Sequence, residues 1–158
     1  KQSPSLLIAN DAIEMFLLIQ DNSAEDSLRV ALQAYAKADL QLYQNKNEEA
    51  LQSFLTILQK HKGESIEEST LFKVGKIYEE KKEYLKALSY YQNILDNYKD
   101  GIYKDEALFF SAEIYRQYLL DNEKAKPLYE KMVLEHPDSL YYTESRKQYR
   151  TLRGDTTI

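Results

Sequence analysis

One spacing recurs along this chain and restricts its fold more than any other feature. Small residues recur at steps of 37 residues in one series, which is Ala38, Gly75 and Ala112. A second series takes steps of 37 and 38 residues, at Ala50, Ala87 and Ala125. Large residues keep the steps of the second series at Phe54, Tyr91 and Tyr129, and again at Ile57, Ile94 and Met132. Four positions that agree on one period predict a repeat architecture.

The residues inside one period predict a pair of helices. Ala50, Phe54 and Ile57 follow the i, i+4, i+7 spacing that lines one face of a helix. Only four glycines and three prolines occur in 158 residues, which favours helices over a sheet with many turns. A small residue where two helices cross lets their axes approach closely, and the large residues then fill the space towards the next pair. The sequence therefore predicts an all-α chain of stacked antiparallel helix pairs.

Breaks in the pattern predict where the elements lie. We expect one domain over residues 1–158, which starts with an apolar helix at 4–20. Three repeats follow at 24–61, 65–98 and 103–135, the first of them degenerate, and a capping helix at 139–152 ends the array. The extra residue in the third repeat is expected in its turn, near Leu120 to Asn122.

These motifs resemble those of a known repeat family. Leu71, Gly75 and Tyr78 are followed by Ala87, Tyr91 and Ile94, and the pattern recurs as far as Pro137. It resembles the tetratricopeptide repeat (TPR) over about residues 31–152, although Ala34, Lys37 and Gln41 depart from it in the first repeat. The resemblance implies a right-handed superhelix and a non-enzymatic scaffold that binds proteins or peptides.

A narrower likeness concerns the end of the chain. The stretch HPDSLYYTESRKQYRTLRG resembles the repeat ends of bacterial envelope TPR proteins, such as outer-membrane assembly lipoproteins and periplasmic TPR factors associated with the Tol-Pal system. It implies a periplasmic or envelope location, with the cytoplasm as the alternative. Because the chain starts at Lys1 and shows no signal layout, we interpret it as a piece of a longer protein.

The resemblance also implies a binding groove along the first helix of each pair. The residues expected there are Tyr35, Asp39 and Leu42 in the first repeat, Phe72, Lys76 and Glu79 in the second, and Phe109, Glu113 and Arg116 in the third. The aromatic rings either fill the seams between repeats or form an apolar track for a peptide. Phe72 and Phe109 occupy the place of the lysine that holds a C-terminal carboxylate in some TPR domains, which argues against that ligand.

Both ends of the chain carry features with two interpretations. The last helix presents Arg146, Lys147, Arg150 and Arg153, which either solvate the end of the array or dock an acidic partner or lipid head group. The apolar helix at 4–20 either packs on the following repeat or forms a homodimer through Leu6–Ile19. In the second case the chain would be a structural or oligomerisation module without a groove ligand.

Composition excludes several functions. A net charge of -5 argues against a nucleic-acid binder, since that needs a positive field. The absence of cysteine excludes a thiolate nucleophile and a cysteine-ligated metal. His61 and His136 stand at the ends of second helices without a second ligand in the pattern, and we expect no metal, cofactor or catalytic site. No apolar run reaches the roughly 18 residues of a membrane span.

Overall fold

The computed structural model describes residues 26–155, and in that range the chain is helical without strands. The helices are α1 (Asp26–Tyr43), α2 (Asn47–Lys60), α3 (Ile66–Glu80), α4 (Tyr84–Asn97), α5 (Lys104–Glu113), α6 (Asn122–Glu135) and α7 (Tyr142–Arg153), and a π-helical turn (Ile114–Tyr118) extends α5. The predicted all-α class is confirmed. The helix expected at 4–20, the start of the first repeat and the dimer surface at Leu6–Ile19 lie outside the described residues.

The two helices of each repeat are joined by a turn of constant length. Three residues separate α1 from α2, α3 from α4, and the π-helical turn from α6. The middle residue of each turn has a left-handed backbone, with φ of 60° at Asn45, 62° at Lys82 and 54° at Leu120. These three residues follow the 37 and 38 residue steps of the second series, so the turns belong to the repeat.

The extra residue of the third repeat lies in a helix and not in the turn, so the expectation for Leu120 to Asn122 was wrong. The amide of Lys81 donates to the carbonyl of Ile77, four residues back, whereas the amide of Leu119 donates to that of Ile114, five residues back. The π-helical turn is wider than an α-helical turn and so accommodates one added residue, because its hydrogen bonds reach five residues back and not four. The following turn thus keeps its geometry.

The small residues of both series are buried at the helix crossings. Ala38, Ala50, Ala87, Ala112 and Ala125 are each 0 % exposed. The large residues of the second helices are buried beside them, with Phe54, Tyr91 and Tyr129 at 0 %. Each second helix ends at an equivalent residue, His61, Tyr98 or His136, whose amide caps the carbonyl four residues back.

The chain forms two compact units, Lys1–Thr70 and Leu71–Ile158. In the first unit α1 packs on α2. In the second unit α4 packs on α5, both α5 and the π-helical turn pack on α6, and α6 packs on α7. The assignment of residues 1–158 to one TPR domain, with the repeat bounds given above, stays a prediction.

Two helix ends carry an identifiable capping residue. In α6 the Asp121 carboxylate accepts the Lys124 amide at 3.0 Å, and hydrogen bonds to Lys124 lower the pKa of Asp121. At the end of the last helix, Gly154 closes α7 with a φ of 82°, as expected of a glycine C-cap.

None of the helices in the described range is long and apolar enough to cross a membrane.

Candidate protein-binding surface

Of the three groove residues predicted in the first unit, one is buried and two are half-buried. Tyr35 is only 2 % exposed, and its ring meets the ring of Phe54 edge-on at 5.3 Å between centroids. Asp39 and Leu42 are half-buried one and two turns further along α1. Tyr35 therefore offers little surface to a partner.

The two phenylalanines predicted in the second unit share one environment. Phe72 stacks on Tyr103 at 4.5 Å between ring centroids, and Phe109 stacks on Tyr141 at the same distance. Tyr103 and Tyr141 each directly precede the next first helix, α5 or α7. Both phenylalanines stay half-buried, so each ring fills the seam to the following helix and keeps part of its surface open.

Phe110 joins these two stacks and was missed by the sequence analysis. Its ring centroid lies 6.2 Å from that of Phe72 and 5.8 Å from that of Phe109. The Lys76 ammonium sits 4.0 Å above the Phe110 ring, which favours a cation on its negative face. The sequence held one signal for this residue, because Phe110 directly follows the predicted groove residue Phe109. Neighbouring residues on a helix point about 100° apart, so the second ring was bound to face a different neighbour.

Glu79 links the first and second helices of the second repeat. Its carboxylate accepts a 2.8 Å hydrogen bond from the Tyr91 hydroxyl and lies 3.1 Å from the Lys76 ammonium. Burial of the Tyr91 ring and the nearby Glu79 charge raise the pKa of Tyr91. A buried hydroxyl needs such an acceptor, because an unmade hydrogen bond there would be costly.

The third repeat contains the same three groups with the charges in reverse order. Glu113 now comes first and Arg116 follows, 2.9 Å away, while the Tyr129 hydroxyl donates to Glu113. The Arg116 Nε also donates to the Tyr129 oxygen at 3.1 Å. Burial disfavours the Arg116 charge, but hydrogen bonds to Glu113 and Tyr129 outweigh it and raise the pKa of Arg116.

The pKa of Tyr129 is also raised, first by burial and then by its hydrogen bond to Glu113. The first repeat lacks this arrangement, because Phe54 replaces the tyrosine and has no hydroxyl. There the Ser53 hydroxyl donates to Gln41 at 2.7 Å. Among the described residues, this arrangement of a cation, a carboxylate and a tyrosine hydroxyl thus occurs in the second and third repeats.

The four cations predicted on α7 differ in their surroundings. Arg150 and Arg153 share the carboxylate of Asp155, at 4.0 and 3.1 Å. Lys147 lies 3.9 Å from Glu144 with its side chain 72 % exposed, and Arg146 is exposed. Local acids therefore offset much of the positive field of this patch.

Each histidine faces one carboxylate. His61 Nδ1 lies 3.1 Å from Glu64, and His136 Nδ1 lies 2.7 Å from Asp105. Across the described residues, no group of three or more histidine, aspartate or glutamate side chains could hold a metal ion.

The geometry defines a protein built from stacked helix pairs with a surface of rings and ion pairs. Residues 69–101 match the family model of the tetratricopeptide repeat. The fold is similar to the crystal structure of a tetratricopeptide repeat protein from Parabacteroides merdae ATCC 43184, with a TM-score of 0.64 at 23 % sequence identity. One repeat thus matches the tetratricopeptide repeat model, and the fold is similar to that of a tetratricopeptide repeat protein.

That similarity covers 89 % of this chain and 52 % of the solved one, so the chain spans about half the length of that protein. No curated protein sequence matches this chain.

Proposed function

We propose that the first-helix face of the second unit binds a peptide or an extended protein segment. TPR repeats generally mediate protein–protein interaction. The observation that supports this surface is a pattern repeated at a step of 37 residues: a half-buried ring beside an ion pair, Phe72 with Lys76–Glu79 and Phe109 with Glu113–Arg116. Rings supply apolar contact area, and the ion pairs set the register of the ligand.

The order of the charges is reversed between the two ion pairs, but the order of their exposure is not. Lys76 and Arg116 keep 31 % and 27 % of their side chains exposed, whereas Glu79 and Glu113 keep 19 % and 14 %. The cations are therefore the more accessible partners in both pairs. A ligand segment with apolar side chains and one or two carboxylates fits this surface best, and the buried tyrosine hydroxyls hold Glu79 and Glu113 in place.

Other predicted contacts extend this proposal. Asp39 and Leu42 are candidate contacts of the first unit by itself, and Tyr35 contributes little because it is buried. On α7 all four cations are exposed, and Arg150 and Arg153 pair with Asp155, so Arg146 and Lys147 are the members of the basic patch that we expect to meet an acidic part of the partner.

A displayed library of random peptides, selected on the full chain, tests the binding surface. We expect enriched peptides with apolar and acidic residues, and we expect the variants Lys76→Glu and Arg116→Glu to weaken their binding about tenfold or more, because each reversal leaves an unfavourable charge at the interface. Lys131→Glu is a matched control, since Lys131 is exposed on the second helix α6.

Equal losses for the three charge reversals would contradict a specific surface, as would a set of enriched peptides that bind the Phe109→Ala variant unchanged. Both results would favour a structural module without a groove ligand.

We further propose that the chain acts without chemistry of its own, as part of a larger bacterial envelope protein. The support is the envelope-type likeness of residues 136–154. Fractionation of cells that express the full-length protein tests the location, and recovery in the cytoplasm alone would contradict it.

A further inference from the structure

The second repeat carries apolar residues at its surface where the other two repeats carry polar ones. Its second helix, α4, begins with Tyr84 and Leu85. The helices α2 and α6 begin at the equivalent positions with an exposed asparagine and an exposed glutamate, Asn47–Glu48 and Asn122–Glu123. The repeat therefore folds without apolar residues at these positions. Because Leu85 is 72 % exposed, packing inside the chain does not explain it.

The next repeat shows a similar exchange in its turn. That turn contains Leu119 and Leu120, where both earlier repeats have polar residues. Leu120 is 78 % exposed and the neighbouring Tyr118 is 50 % exposed. The rings of Tyr84 and Tyr118 stack at 4.3 Å between centroids, which joins the two turns into one apolar patch. Contiguous exposed patches of this kind mark interaction sites.

A cleft lies within this patch. It has a volume of about 370 Å³, and its lining consists of Tyr84, Leu85 and Leu119 as apolar members and Lys82, Glu83 and Lys86 as charged members. Ligand pockets start at about 300 Å³, so this cleft is at the small end of their range. A concave site of this size accepts an inserted side chain, whereas a lipid surface is flat.

The charged lining of the cleft has more cations than anions. Glu83 lies 2.5 Å from the Lys86 ammonium and 3.8 Å from that of Lys81, so one carboxylate serves two lysines. Within the described part of the chain, no ion pair engages Lys82. A partner with a carboxylate beside its apolar side chain complements this lining best.

We propose that this cleft binds a segment of a partner protein, which inserts an aromatic side chain beside Tyr84 and Leu85 and pairs an adjacent carboxylate with Lys82. Aromatic side chains that fill a pocket supply much of the binding energy at protein interfaces, and charge pairs fix the orientation. No residue of the cleft belongs to the peptide-binding surface proposed above. The inference therefore goes beyond that function and does not rest on it.

Selection of a displayed random peptide library tests the cleft separately from the other surface. The full-length bait is Lys76→Glu/Arg116→Glu, and peptides that bind Tyr84→Asn/Leu85→Glu are removed beforehand. The second variant introduces the residues of the equivalent positions in the other repeats, so we expect it to keep its helices. Enriched peptides should carry an aromatic residue next to an acidic one. We expect them to bind the original chain about tenfold or more tightly than Tyr84→Asn/Leu85→Glu or Lys82→Glu.

A matched control separates the cleft from general apolar exposure. Leu134 is also 72 % exposed, but it lies on α6 outside the cleft, so Leu134→Glu should leave binding unchanged. Circular dichroism checks that every variant keeps its helices. If the double variant loses them, Leu85→Glu replaces it, because that change keeps the stacked rings of Tyr84 and Tyr118.

Several outcomes would overturn the proposal. They are a selection without enriched peptides, enriched peptides without an acidic residue, and equal binding to the original chain and to Leu85→Glu. Sedimentation of the chain with vesicles of phosphatidylcholine and phosphatidylserine, and of the chain alone, tests two other occupants. Vesicle binding or self-association that Leu85→Glu abolishes would assign the cleft to a lipid surface or to a second copy. Because the bait lacks both groove cations, either result leaves the proposed function to its own test.

Discussion

Gly75 provides the space that the ring of Tyr91 occupies. A Cβ atom at Gly75 would lie 2.5 Å from the Tyr91 Cε1 atom, well inside van der Waals contact. The Tyr91 hydroxyl donates to Glu79, one helical turn beyond Gly75, whereas the Tyr129 hydroxyl donates to Glu113, directly after Ala112. The repeat with glycine at the crossing thus has its carboxylate four residues later, and the repeat with alanine has its carboxylate one residue later.

Replacing Gly75 by alanine should destabilise the protein. The clash with the buried Tyr91 ring should cost about 1–3 kcal/mol, which exceeds the gain of up to about 1 kcal/mol in helix propensity. Denaturant unfolding of the Gly75→Ala variant measures the difference. The double variant Gly75→Ala/Tyr91→Leu, which removes the ring, should lose less than the sum of its single changes. Additive losses would show that the ring is not the cause.

Larger residues at the second-helix crossings should also destabilise the protein. Ala87 and Ala125 are 0 % exposed, so Ala87→Leu and Ala125→Leu should each lower the free energy of unfolding by about 1–3 kcal/mol through overpacking. The control Gln92→Leu adds a leucine at an exposed position of α4. Melting temperatures that stay unchanged in both alanine variants would contradict the repeat register.

Stability should fall at high pH through the buried tyrosines. The pKa values of Tyr91 and Tyr129 are raised in the folded chain, first by burial. Above about pH 10 the unfolded chain loses tyrosine protons that the folded chain keeps, so the free energy of unfolding decreases by up to about 1.4 kcal/mol per pH unit for each group. This contribution is fully present below pH 10.

Urea unfolding across this alkaline range measures the effect as a slope against pH. The variant Tyr91→Phe/Tyr129→Phe should show a smaller slope, whatever its stability at neutral pH. A slope equal to that of the original chain would mean that these two hydroxyls do not titrate differently on unfolding.

The turn of the third repeat should be improved by asparagine. Leu120 has a φ of 54° and is 78 % exposed, so its side chain gains little from packing in a backbone conformation that L-residues avoid. Leu120→Asn should raise the free energy of unfolding by about 1 kcal/mol. The reverse change at the equivalent position, Asn45→Leu, should lower it by a similar amount. Thermal melts in which both variants shift in the same direction would contradict this explanation.

The sequence predicted which residues occupy equivalent positions on the second unit, but it did not predict which side chains these residues contact. The repeat step placed Phe72 and Phe109 at equivalent positions because helix geometry is periodic. Their stacking on Tyr103 and Tyr141 could not be read in advance, because those tyrosines stand outside the helices and meet the rings only after folding. Phe110 was missed for the same reason, since its neighbours Phe72 and Lys76 lie in another repeat.

The sequence alone determined the helix pairs, the buried small residues such as Ala87 and Ala125, and the step that relates them, because these depend on local periodicity and residue size. The tertiary structure decided where the extra residue of the third repeat lies. Hydrogen-bond register is a property of the folded backbone, and the sequence does not distinguish a longer turn from a widened helix at Ile114–Tyr118. The tertiary structure also decided the partners of Glu79 and Glu113. The packing between helices, and not the distance in sequence, determines which carboxylate lies within hydrogen-bond distance of a tyrosine hydroxyl.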